Sequence, residues 1–259
     1  MHSTRHTIIF TLLLCLVFSL AVSTVSVALR ERQEENRRLD RIRNVLRVTG
    51  LLRPGERAPR VELLQRFKDH LEPRLVDLES GSYVDGADAM AFDQRRAAAD
   101  PERSRRAPEN RARVRRIPDR ALVFLHVSGG ELESIVLPIE GYGLWSTMYG
   151  YLALEADART IRGITFYEHG ETAGLGGEVD NPRWKALWPK RVALDEAGKP
   201  LISVAKGHAG APAEDPHRVD GLSGATLTSN GVTYLLHFWL GEHGFGPYLT
   251  ELRQRGGAG

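Results

Sequence analysis

From Ile8 to Leu29 the chain carries no charged side chain and is filled with Leu, Val, Ile and Phe. A helix over that run is about 33 Å long at 1.5 Å per residue, against a bilayer hydrocarbon layer about 30 Å thick. Hydrocarbon offers no partner to backbone polar groups, so a single segment can lie there only as a helix. Ser19, Ser23, Thr24 and Ser26 fit such a helix, because their hydroxyls can bond back to its carbonyls. The reading is a short tail over residues 1–7 followed by a transmembrane helix over 8–29. The competing reading is a cleaved signal peptide with Ala21-Val22-Ser23 as its small-residue site. Against it, the basic region is reduced to Arg5 and the apolar run is longer than such peptides use.

Arg30, Arg32, Arg37, Arg38, Arg41 and Arg43 follow the span. Their bias alone would keep the rest of the chain in the cytoplasm, although long domains translocate largely regardless of charge. Charge therefore leaves the side open. At 259 residues the chain has room beyond the anchor for one or two globular domains. A formal charge of +2 is too small to point to nucleic acid. Cys15, inside the apolar run, is the only cysteine, which excludes a disulfide framework or a thiolate metal site within one chain.

Residues 30–120 read as a charged helical and connecting region of the soluble body. Leu39, Ile42, Val45, Leu46 and Leu51 recur near helical spacing, so the first helix is expected to continue until Thr49-Gly50 and Arg53-Pro54-Gly55 break it. Val61 to Leu71 reads as an amphipathic helix with Leu64, Phe67, His70 and Leu71 on one face. Pro73 should stop it, and residues 74–78 read as a strand. Gln94 to Arg120 is Arg-rich and interrupted by prolines, and reads as a solvated helix or loop. A polybasic membrane-surface patch is the alternative.

Residues 121–259 read as the main folded domain. Ala121 to Ser128 and Glu131 to Ile139 are expected strands around Gly129-Gly130, followed by Arg159 to Tyr167, Val192 to Leu194 and Leu201 to Val204. The class is α+β with an antiparallel or mixed sheet.

Three segments carry chemistry. In Asp220-Gly221-Leu222-Ser223-Gly224-Ala225-Thr226, two glycines allow close backbone approach beside the Thr226 hydroxyl. Thr228 or Ser229 is the expected N-cap of the apolar helix that follows, which Gly241 ends. A phosphate on Thr226 would meet free N–H groups and the positive end of the helix dipole. The second segment, Gly143 to Gly150, is an aromatic and hydroxyl-rich turn in which Trp145 could pack on a ring face. The third, Tyr167 to Glu178, is a glycine-rich loop. Its Glu168, His169 and Glu171 lack metal-ligand spacing, so no metal site is assigned and His169 reads as structural.

Together these segments resemble the FMN-binding subunit family of the sodium-translocating NADH:quinone oxidoreductase. The likeness runs through the single span, Asp93-Gln94-Arg95 to Asp100-Pro101, Leu144 to Gly150, Glu168 to Pro182 and Asp220 to Val232. One departure is Ala173, where the family usually has Pro. The resemblance implies an α+β FMN-binding domain behind a single transmembrane helix. It further implies FMN bound covalently through a phosphoester to Thr226 and placed there by a flavin transferase. Ser223, Gly224 and Ala225 would shape the turn, and Trp145, Ser146, Thr147, Thr172, Leu175 and Gly176 would form the pocket.

The same resemblance implies an electron-carrying subunit in the bacterial inner membrane, with its body in the periplasm and other membrane subunits as partners. NADH and ubiquinone would bind elsewhere in that sodium-pumping complex. The chain itself would need no acid–base catalytic residue. The homologous flavin-carrying subunit of the ion-translocating ferredoxin:NAD oxidoreductase shares the attachment motif and is the nearest alternative. An unflavinylated membrane-anchored binding or scaffold protein is the alternative of another class.

Overall fold

The computed structural model describes residues 4–53 and 55–256. Residues 1–3 of the expected tail, Pro54 of the expected break and residues 257–259 lie outside the described residues. Two compact units result, Met1–Ile42 and Arg43–Gly259.

In the first unit, helix α1 (Thr4–Val48) begins at Thr4, so residues 4–7 are helical rather than a tail. Their backbone donors and acceptors continue the helix, and Thr11 Oγ1 donates to the Thr7 carbonyl at 2.9 Å. Thr24 Oγ1 donates to Leu20 O at 2.8 Å, the back-bonding that lets a hydroxyl sit in an apolar helix. Thr4–Arg30 is long and apolar enough to cross a membrane, with mean hydropathy 2.6. Among the described residues no second helix meets that test.

In the second unit, Val45, Leu46 and Val48 at the end of α1 are buried. Arg162 Nε donates to Thr49 O at 2.9 Å and fastens that end. Helix α2 (Arg60–His70) buries Leu63 and Phe67. Leu64, expected on the inner face, is exposed; the i,i+4 pair that meets the sheet is one residue earlier. Phe67 stands edge-on to Phe124 at 5.8 Å.

Strand β1 (Leu71–Asp77) follows without a break, three residues earlier than expected, with Pro73 inside it. Strand β2 (Tyr83–Val84) pairs only with Leu75 and Val76. One side of β1 is thus open at Pro73, where a residue without an N–H is tolerated. Helix α3 (Gln94–Ala99) is capped by Asp93, and β3 (Ser104–Arg106) pairs antiparallel with β4 (Arg116–Pro118). The Arg-rich segment, expected as a solvated helix or loop, is thus a short helix followed by a two-stranded ladder, with Ala97, Ala112, Val114 and Ile117 buried. Asn110 holds its tip, donating to Pro108 O and Val114 O and accepting from Val114 N.

The main sheet continues with β5 (Arg120–Ser128), β6 (Glu131–Tyr142), β7 (Thr147–Glu155) and β8 (Ile161–Glu168). Its order is β2-β1-β5-β6-β7-β8, antiparallel throughout, so residues on both sides of position 120 share it. Gly129 and Gly130, at φ 62° and 87°, form the β5–β6 turn. Only residues 143–146 of the expected turn lie outside a strand; Thr147 already pairs with Tyr142.

After α4 (Pro182–Lys185), the segments expected as strands over 192–194 and 201–204 shrink. They form two isolated bridges plus β9 (Ser203–Val204), which pairs in parallel with β10 (Arg218–Val219). Beyond the tight Asp195 turn, closed by Asp195 N to Lys199 O at 2.9 Å, the two sides meet through Ala193 O, which accepts Leu201 N at 2.9 Å and Ile202 N at 3.2 Å, too few bonds to extend a ladder.

Helix α5 (Thr226–Leu240) lies across the sheet face formed by Ile135, Leu137 and Ile139. Gly141 permits that approach, since a Cβ there would stand 2.5 Å from Leu235 Cβ. Trp239 is fully buried, and its Nε1 donates to Glu140 O at 2.7 Å. Helix α6 (Gly246–Gly256), not anticipated from the sequence, adds Tyr248 and Leu249 to the same core.

Candidate functional site

The Asp220–Thr226 turn ends on Gly224 at φ +69°, a conformation open to glycine and strained for other residues. Helix α5 starts at Thr226 with Ala225 in the capping position and no side-chain cap. The expected caps, Thr228 and Ser229, sit inside the first turn, and both are buried. Ser229 Oγ accepts Leu222 N at 3.1 Å, and Thr228 Oγ1 donates to Glu171 Oε2 at 2.5 Å. Their hydroxyls are spent on holding neighbouring loops. Thr226 is exposed at the first helical residue, where N–H groups lack helical acceptors and the dipole is positive.

Thr226 lines a cleft of about 310 Å³ with Ser223, Gly224, Lys206, His208 and Asn230. Asp220 builds the far wall. Its Oδ1 accepts Ala209 N at 2.9 Å and its Oδ2 meets His208 Nδ1 at 2.9 Å. Gly221 N donates to Gly207 O at 2.7 Å, completing the attachment of residues 205–209. Burial would raise the Asp220 carboxyl, but the Ala209 amide and His208 hold it below its ordinary value. Trp184 Nε1 donates to Asp220 O at 2.8 Å from beneath.

Beside the cleft rather than in its lining, Glu171 organises the loops that meet the first turn of α5. Its Oε1 accepts Leu144 N at 3.1 Å, Trp145 N at 3.0 Å and Ser146 N at 3.4 Å, while Oε2 takes Leu144 N at 3.1 Å and the Thr228 hydroxyl. Burial pushes this carboxyl up, but Thr228 and the amides of Trp145, Leu144 and Ser146 together bring it below the usual range. Gly143 and Gly176 leave room for it, since a Cβ on either would fall within 2.8 Å of a Glu171 carboxylate oxygen. Glu171 thus ties the 143–146 turn, its own loop and the first turn of α5 into one knot.

Of the expected site residues, Ser223, Gly224 and Thr226 line the cleft, and Ala225 is buried behind it. Leu175 reaches the turn, where a Cβ on Gly224 would stand 3.0 Å from Leu175 Cδ2. Gly176 backs onto Thr228. Thr172 is exposed and uses its carbonyl to accept Leu175 N and Gly177 N. Ser146 Oγ accepts Gly170 N at 2.6 Å, joining the two loops again. Trp145 stands open at 64% exposure. Thr147 opens β7 and does not line the cleft.

Lys206, His208 and Asn230 on the cleft wall, and Glu171, were not among the expected site residues. The one signal for Glu171 was an acidic residue amid glycines. His169 pairs through Nε2 with Asp180 at 2.9 Å. Among the described residues no group of three His, Cys, Asp or Glu could hold a metal ion.

The FMN-binding domain family matches residues 143–241, which include the turn, the glycine-rich loop and α5. Over 255 residues the chain is 45% identical to the NqrC subunit of the Na(+)-translocating NADH-quinone reductase of Pseudomonas aeruginosa, covering 97% of each. The chain belongs to the NqrC family. A second member, from Yersinia pestis, is 45% identical over 96% of this chain and 92% of its own. The crystal structure of Shewanella oneidensis NqrC superposes with a TM-score of 0.78 at 34% identity, over 85% of this chain and 99% of that one. As a member of the NqrC family, the chain is part of an NADH-quinone reductase, a redox complex, and its apolar helix fits a membrane anchor.

Proposed function

We propose that Thr226 carries FMN through a phosphoester and that the chain relays electrons within a sodium-pumping NADH:ubiquinone oxidoreductase. The observation that carries this reading is the exposed Thr226 at the first residue of α5, in a cleft walled by the anchored segments 205–208 and 221–224. Thr226 Oγ would bond the FMN phosphorus of FAD as the pyrophosphate bond breaks, releasing AMP and giving up its proton. A flavin transferase supplies that step. Helix N–H groups then hold the phosphate.

Leu144, Trp145, Leu175 and Leu227, all exposed, offer an apolar bed beside Thr226 suited to a flat ring. Bound FMN supplies the redox chemistry. The residues of this chain position it and set its surroundings, with Ser223, Gly224 and Ala225 shaping the turn. Trp145, Ser146, Thr147, Thr172, Leu175 and Gly176 belong to the ring side in this reading. Residues 8–29 serve as the inner-membrane anchor; 30–120 supply the connecting helices and strands β1 to β4 of the body, and 121–259 carry the FMN-binding part. The body faces the periplasm and docks on the other membrane subunits.

The test is co-expression of the exported full chain with a flavin transferase. Wild type should fluoresce in a denaturing gel and gain the mass of FMN minus water, and Thr226→Ala should do neither. A Thr226→Ala protein that keeps its fluorescence would place the flavin elsewhere.

A further inference from the structure

Glu171 is 8% exposed, yet everything that meets its carboxylate is neutral: three successive amides and one hydroxyl. Among the described residues no Lys or Arg nitrogen pairs with it. The nearest ring of its own loop is no counter-ion either. His169 Nδ1 accepts the Glu171 N–H at 3.2 Å and Nε2 faces Asp180 at 2.9 Å, so neither ring nitrogen meets the Glu171 carboxylate. A structural tie between loops could be made by a neutral amide. A full charge without a cation, out of water, acts over distance on whatever lies nearby.

That charge lies directly beneath the turn that carries Leu144 and Trp145, and touches the α5 residue two positions beyond Thr226. We propose that Glu171 is a potential-setting residue, whose negative charge, held by neutral donors and paired with no cation, makes the flavin on Thr226 harder to reduce. The proposal rests on the reading of Thr226 as the attachment residue, with the ring on the side of residues 144–147 and 172–176. An electron added to the ring places negative charge above negative charge, so the reduced form is the one destabilised. Thr228 is the counterpart: its hydroxyl partly neutralises the carboxylate.

Two substitutions separate charge from shape. In Glu171→Gln the amide oxygen can keep accepting from residues 144–146, while the NH2 group donates to Thr228 Oγ1 in place of accepting from it. In Thr228→Val the carboxylate keeps its charge and loses its strongest neutral partner. Full-length flavinylated proteins are titrated spectroelectrochemically, and hydrogen exchange at Leu144–Ser146 is followed in parallel. The expected result is a more positive midpoint potential in Glu171→Gln and a more negative one in Thr228→Val, with exchange in Glu171→Gln close to wild type. Fluorescent variants with the wild-type potential overturn the proposal and leave the attachment residue standing. A shift of the same sign in both variants also overturns it, since that would follow from loosened loops. A wild-type protein without covalent fluorescence overturns the attachment reading and this proposal together.

Discussion

The two flanks of Thr226 are each held by a single carboxylate, and the two are built differently. Glu171 holds residues 144–146 from a buried position, using backbone amides and a buried hydroxyl. Asp220 holds residues 205–209 from a half-buried position, with one amide and an exposed histidine whose side chain is 95% accessible. The first arrangement excludes water, and losing the carboxylate strands several donors at once. Water can replace much of the second. The ring-side flank is thus expected to be rigid and the cleft-side flank adaptable.

The largest effect should come from removing the inner carboxylate. Glu171→Ala leaves the amides of 144–146 and the Thr228 hydroxyl without an acceptor, at a cost of about 3–4 kcal/mol in chemical denaturation. A loss under about 1 kcal/mol would erase the contrast between the flanks. Next, Gly176→Ala would drive a Cβ to 2.5 Å from Thr228 Oγ1 and 2.8 Å from Glu171 Oε2. Overpacking there should cost about 2 kcal/mol, and faster hydrogen exchange at Leu144–Ser146 would locate it.

The acid side sharpens the comparison further. Glu171 has a folded-state pKa below its unfolded one, so its stabilisation is present above the unfolded value near 4.5 and is lost as pH falls through the folded value. The difference between wild type and Glu171→Gln, about 1–2 kcal/mol at neutral pH for charge-assisted bonds, should shrink when denaturation is repeated below pH 4. The smallest effect belongs to the outer flank: Asp220→Asn should lose under about 1 kcal/mol, with faster exchange confined to the amides near Ala209.

The same contrast governs how much was legible in the sequence. The apolar run, the β5–β6 turn at Gly129-Gly130 and the amphipathic α5 are local patterns, readable one segment at a time. Strand β7 was hidden because its interior is buried on both faces, which removes the alternation that marks a half-exposed strand. Leu63 and Leu64 are adjacent, and only the sheet decides which faces it. The attachment turn was legible as a motif, but the knot behind it was not. A carboxylate that binds backbone amides 25 to 27 residues away leaves no spacing rule to find. The caps failed for a related reason, since Thr228 has a partner 57 residues away and Ser229 one seven residues back, and a rule of three-residue spacing weighs neither.

The exposure of Trp145 has an optical consequence. The chain has four tryptophans, and Trp184, Trp188 and Trp239 are buried at 6%, 0% and 0% while Trp145 stands at 64%. A water-soluble quencher will therefore silence one indole and spare three. The quenchable share of the emission then reports on the rim of the candidate site alone, without a label, and its disappearance would register anything that comes to cover that ring.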